Sequence, residues 1–122
     1  MSSPKLLFTV TGLKLRTPLA GALFWPLAFG SMLEARRTPG CVHASPLSRD
    51  GYHHTLTVWR DRDAVRAFTS RPMHRAGVGL FPHIATGAIS HGVCTEVPDW
   101  AFALSHWKEY ARIVGPSAPV TG

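Results

Sequence analysis

A chain of 122 residues, 45% of them apolar, supplies one small core and little beyond it, so it reads as one domain over residues 1–113 with a flexible tail at 114–122. The net charge of +6 would suit an acidic partner, yet Lys and Arg are scattered singly from Lys5 to Arg112 with no nucleic-acid motif beside them, so a solvated surface is expected rather than a nucleic-acid groove. Cys41 and Cys94 are too few and too far apart for a metal knuckle or a disulfide scaffold, which points to reduced thiols in a cytoplasmic protein.

Leu7, Thr9, Thr11 and Leu13 alternate with Phe8, Val10, Gly12 and Lys14, the period of a strand over residues 5–15 whose two faces meet different surroundings. Thr17-Pro18 then reads as a helix N-cap followed by proline at the first helical position, where a missing N–H costs nothing. The helix opens an uncharged run, PLAGALFWPLAFGSML, from Pro18 to Leu33. A bilayer span needs about 20 apolar residues, and this run is shorter and interrupted by Gly21, Pro26 and Gly30, so no membrane span is expected. A secretion signal is set aside because residues 5–15 serve better as a strand. The helix is expected to reach about Arg36 with a kink at Pro26, and apolar residues on all its sides predict burial on more than one face.

The segment TPGCVHASPLSRDGYHHTLTVW reads as two strands joined at Arg49-Asp50-Gly51. Thr55, Thr57 and Trp59 share one face of the second of these strands, and His54, Leu56 and Val58 the other. RDRDAVRAFTSRPMHRAGVGLF opens with Asp61 as N-cap, turns Ala64, Val65 and Phe68 inward, and is interrupted at Pro72 before a second helical piece over Met73 to Phe81. GAISHGVCTEV is the fourth strand. PDWAFALSHWKEYAR is a closing helix, capped by Asp99, with Trp100, Ala103, Leu104, Trp107 and Ala111 at helical spacing.

This order predicts an α+β fold, a ferredoxin-like split βαβ unit with a four-stranded antiparallel sheet and an extra C-terminal helix. Helices cover one sheet face of such a unit. Neither strand face is polar enough to stand in water, so a second copy packed sheet to sheet, a homodimer, is expected.

The segment HTLTVWRDRDAVRAFTSRPMHRAGV resembles the strand-then-helix core of the antibiotic-biosynthesis-monooxygenase-like family of the dimeric α+β barrel superfamily. Its T-hydrophobic-W strand end, charged turn, A-x-x-A-F helix and nearby H-R pair carry the likeness. The long first helix followed by RRTPGC, and the tryptophan-bearing C-terminal segment, are similar to the spheroidene-monooxygenase-like and uncharacterised branch, so the resemblance spans about residues 5 to 112. It implies a dimeric α+β barrel and monooxygenase chemistry on an apolar aromatic or polyene small molecule, held in a pocket between sheet and helices. Two departures limit it. Members that oxidise phenolic polyketides or haem rely on a pocket asparagine, and this chain has neither Asn nor Gln. Where haem-degrading members carry a tryptophan and then an axial histidine, this chain has Phe68 and Val78.

Among the seven histidines, His53 and His54 are adjacent on a strand and point to opposite faces, and no pair has the i, i+4 spacing of a helical metal site, so no metal site is expected. His74 follows the Pro72 break and is the candidate catalytic base, since a neutral imidazole can accept a proton near physiological pH. Phe24, Trp25 and Phe29 on the first helix, Trp59 on the third strand and Phe68 on the second helix are the expected substrate-binding walls, with His43 and His91 on strands beside them. No cofactor is expected. A noncatalytic ligand-binding or dimerisation module on the same fold is the alternative function, and a haem-binding variant the third.

Overall fold

A computed structural model describes residues 5–114. Strand β1 (Leu6–Leu15) lies between β3 (Tyr52–Trp59) and β4 (Ala85–Cys94), antiparallel to both, with Thr9 opposite Thr57 on one side and His91 on the other. Strand β2 (Cys41–Arg49) pairs with β3 at one edge, where Pro46 can sit without breaking a central ladder. The β2–β3 hairpin closes through Asp50 and Gly51, both at positive φ as a two-residue turn of this hand requires.

The sheet has five strands rather than the expected four, in the order β2-β3-β1-β4-β5. Strand β5 (Arg112–Val114) extends the β4 edge, with Ala88 opposite Ile113. Three residues are too few to show an alternation, which is why the sequence pattern does not reveal them. Val114 therefore belongs to the sheet and not to the expected tail, and residues 115–122 lie outside the described residues.

Thr17 Oγ1 accepts from the Ala20 N–H (3.2 Å) and Pro18 opens a 3₁₀ turn that runs into helix α1 (Gly21–Arg37). Helix α2 (Arg62–Thr69) starts where Asp61 Oδ1 accepts from the Ala64 N–H at 2.9 Å. Helix α3 (Pro72–Ile84) takes Pro72 as its first residue, so the proline begins a helix rather than merely ending one, and α3 is longer than expected. All three lie on one face of the sheet. Gly30 of α1 lets α3 approach, because the Met73 side chain fills the place a Cβ would take.

Helix α1 buries only Phe24 and Ala35 fully, whereas Leu23, Phe29 and Leu33 are each half or more exposed. The expectation of burial on several faces is thereby corrected. The sheet takes one face and α3 one flank, and the outward stripe remains at the surface.

Helix α4 (Trp100–Tyr110), capped by Asp99 Oδ1 on the Phe102 N–H (2.8 Å), lies on the opposite sheet face. There Phe8, Val10, Leu56, Val58 and Ala103 form one buried cluster, with Trp100 and Trp107 packed against it. Trp107 Nε1 donates to the Ala88 carbonyl (2.9 Å), and its indole occupies the space over Gly12. The face expected to be bare is thus covered by the chain's own closing helix, and the argument for a sheet-to-sheet partner loses its footing there. Among the described residues, no helix is long and apolar enough to cross a membrane.

Candidate active site on the helix-covered face

Strand register puts Leu7, Thr9, Thr11 and Leu13 on the same face as His53, Thr55, Thr57 and Trp59. Trp59 fixes which face this is, because it packs with Ala35 of α1 and with Ala64 and Phe68 of α2. At the far end, Leu13 and Leu15 pack with Phe24, Ile84 and Ala85 in a second apolar cluster. Between the two clusters runs a band of four half-buried threonines. Thr11 Oγ1 and Thr55 Oγ1 are 2.5 Å apart, Thr11 Oγ1 also accepts from the Thr55 N–H (3.2 Å), and Thr9 Oγ1 lies 3.3 Å from His91 Nδ1. Such hydroxyls can orient a polar group on an otherwise apolar ligand. The signal for this band was in the sequence as two Thr-x-Thr pairs, in β1 and β3, and only the register shows that they meet.

His74 sits half-buried in the first turn of α3, edge-on to Phe68 with ring centroids 4.9 Å apart, and Phe68 in turn stacks on Trp59 at 5.1 Å. Burial holds the His74 pKa below its ordinary value, outweighing the Thr69 carbonyl that its ring bonds and the nearby Glu34 carboxylate, both of which pull upward. The imidazole is therefore neutral at physiological pH.

The expected aromatic walls divide into two groups. Trp59, Phe68 and His74 stand together at one end. Phe24 and Trp25 gather instead around His53 at the other, with centroids 5.1 and 4.8 Å from its ring, and Phe29 lies 5.8 Å beyond Trp25. Phe68 and Trp59 are buried in core packing, while Trp25 and Phe29 are exposed. His91 is an exposed residue beside Thr9, its pKa lowered by partial desolvation and then by His106. His43 lies opposite Val58, on the face away from α1, and its Nε2 is 2.7 Å from Ser45 Oγ. It does not reach the helix-covered face.

Two residues to which the sequence assigns no site role are prominent. His54 is buried between Tyr52 and Trp107 on the α4 side, with Nδ1 3.1 Å from the Thr11 carbonyl, and burial depresses its pKa more than that bond raises it. Ser90, also buried, has its Oγ 3.1 Å from His106 Nδ1. With Ser90 buried under α4 and His106 on α4 itself, this pair is a packing contact rather than a nucleophile open to substrate.

One hollow is an open groove of about 520 Å³ between α1 and α3, lined by Ala22, Leu23, Pro26, Leu27, Ala76, Gly79 and Leu80. A smaller one of about 370 Å³ lies at the β2 edge beside Arg36, Cys41 and His43. Burial raises the Cys41 thiol pKa, so it is not an activated nucleophile. Among the described residues, no group of three or more His, Cys, Asp or Glu side chains is placed to hold a metal ion.

No family model and no curated protein matches the chain. Solved structures do. One is SnoaB, a cofactor-independent oxygenase from Streptomyces nogalater, at 21% identity over 79% of this chain and 97% of that one, with a TM-score of 0.58. Another is an antibiotic biosynthesis monooxygenase at 18% identity over 75% of this chain and 99% of that one, again with a TM-score of 0.58. At these identities the likeness speaks for the fold. The chain has the ferredoxin-like α+β fold of the antibiotic-biosynthesis-monooxygenase-like proteins.

Proposed function

We propose that the protein is a monooxygenase-like oxidoreductase acting in the cytoplasm on an apolar aromatic or polyene small molecule held between sheet and helices, with His74 as its base. The observation that carries this reading is the neutral, half-buried His74 seated on the Phe68–Trp59 stack. For an electron-rich phenolic substrate with a reactive CH₂, His74 removes a proton and the resulting anion passes one electron to dioxygen. The two radicals combine to a peroxide, which loses water to leave a carbonyl: one oxygen atom enters the product, the other leaves as water, and no external reductant is used. Excluding water from the anion favours that transfer. The threonine band supplies hydroxyls for the substrate's own oxygen, a role the missing Asn and Gln side chains leave open.

The test is oxygen uptake with an anthrone-type phenol. His74→Ala should lower turnover by about a hundredfold or more with the fold intact, and the wild-type rate should fall as pH drops through the His74 pKa, below the ordinary imidazole range. Turnover unchanged in His74→Ala removes the residue from the mechanism.

A noncatalytic ligand-binding module is the second reading, favoured by the α1–α3 groove, whose lining carries no titratable group. Binding without oxygen uptake would select it. The same lining offers no axial ligand, so its residues do not fit haem there. A homodimer is part of the proposal: Phe102, Tyr110 and Ile113 leave apolar surface exposed around α4 and β5 that a second copy would cover. Light scattering at monomer mass would remove it.

A further inference from the structure

We infer that the outward face of α1 and α3 docks on the surface of an anionic lipid bilayer, with the groove between the two helices opening toward the acyl chains. Ala22, Pro26, Phe29, Leu33 and Arg37 recur at helical spacing and are all exposed, Phe29 at 63% and Leu33 at 50%. Leu23, 53% exposed, widens this stripe toward α3, where Ala76 and Gly79 continue it across the groove. A contiguous apolar surface of this kind marks an interaction site.

Charge decides what covers it. Helices α1 and α3 carry one acidic residue between them, Glu34, and its carboxylate accepts the Met73 N–H. Exposed Arg37 closes the α1 stripe and exposed Arg75 lies on α3, within a chain of net charge +6. An apolar helix face edged by arginines matches a leaflet of acidic headgroups over hydrocarbon. Two copies meeting through this face about a two-fold axis would instead bring like-charged arginine edges together. With α1 lying in the interface, no span is needed. The docking is independent of the reaction proposed above, since it requires neither His74 nor a substrate.

The experiment is vesicle flotation of the purified protein, without substrate, on phosphatidylcholine containing about one-third phosphatidylglycerol and on phosphatidylcholine alone. Flotation with the anionic vesicles, several-fold less with the neutral ones, and release at about 0.5 M salt are expected. Phe29→Ser with Leu33→Ser should abolish flotation, and Arg37→Glu with Arg75→Glu should lower partitioning by about tenfold or more, with circular dichroism unchanged in both because the altered side chains are exposed. The inference is overturned if the wild type does not float with anionic vesicles at low salt, or if neither pair of substitutions weakens flotation. A wild-type dimer that Phe29→Ser with Leu33→Ser converts to monomer would overturn it too, by assigning the face to self-association.

Discussion

Glu34 on α1 reaches across to the first turn of α3 and accepts the backbone N–H of Met73 at 3.2 Å. A helix that begins with proline and has no side-chain cap of its own thus receives one from its neighbour, with a negative charge at the positive end of its dipole. Glu34→Ala should cost about 1 kcal/mol, read as a fall of several degrees in the thermal midpoint, while Glu34→Gln keeps most of it. The same loss should lower the His74 pKa further, because Glu34 is one of the groups holding it up. An NMR titration of His74 unchanged in Glu34→Ala would separate the two residues.

Trp59 and Trp25 should respond to truncation in opposite degree. Trp59 is 1% exposed within the α1–α2 core, so Trp59→Ala should cost about 3 to 5 kcal/mol in urea unfolding. Trp25 is 41% exposed, and Trp25→Ala should cost well under half as much. Equal losses would mean that Trp25 is held more tightly than its exposure indicates.

The threonine band should show coupling. Thr11→Val removes the hydrogen-bond partner of the Thr55 hydroxyl and the acceptor of the Thr55 amide, so it should cost about 1 to 3 kcal/mol, more than Thr55→Val. The double variant should cost less than the sum of the two. Additive losses in this double-mutant cycle would show that the hydroxyls do not depend on each other.

Stability should fall in acid through His54. Its folded-state pKa lies below the ordinary value of 6.5, chiefly through burial. Above that value both states are neutral and pH has little effect. As pH falls through 6.5 the unfolded imidazole takes up a proton that the folded one refuses, and stability declines until the lower, folded pKa is passed. Urea unfolding between about pH 7.5 and about pH 5 should show this slope, and His54→Phe should flatten it. An unaltered slope in that variant would assign the acid sensitivity to His74 and His91, whose pKa values are lowered in the same direction.

Local rules carried much of this fold. Thr17, Asp61 and Asp99 cap the helices that their positions announce, and Asp50-Gly51 turns the hairpin, because each of these depends on a few neighbouring residues. What alternation leaves unsaid is which element comes to lie on which face. Leu56 and Val58 look like a face in need of a partner until α4 folds onto them from the far end of the chain. Phe24 and Trp59 look like walls of one pocket until the register separates them by the length of the threonine band. The uncharged α1 run looks wholly buried because composition cannot tell a core face from a docking face.

The seal that Trp107 makes over Gly12 also sets an order of events during synthesis. Phe8 and Val10 leave the ribosome among the first residues of the described chain, and the helix that covers them is nearly the last. Until α4 emerges, the nascent sheet displays these side chains with Leu56 and Val58 to the solvent, a wet apolar surface of the kind that recruits chaperones. Chains released before residue 100 should therefore aggregate rather than fold, however complete their first four strands.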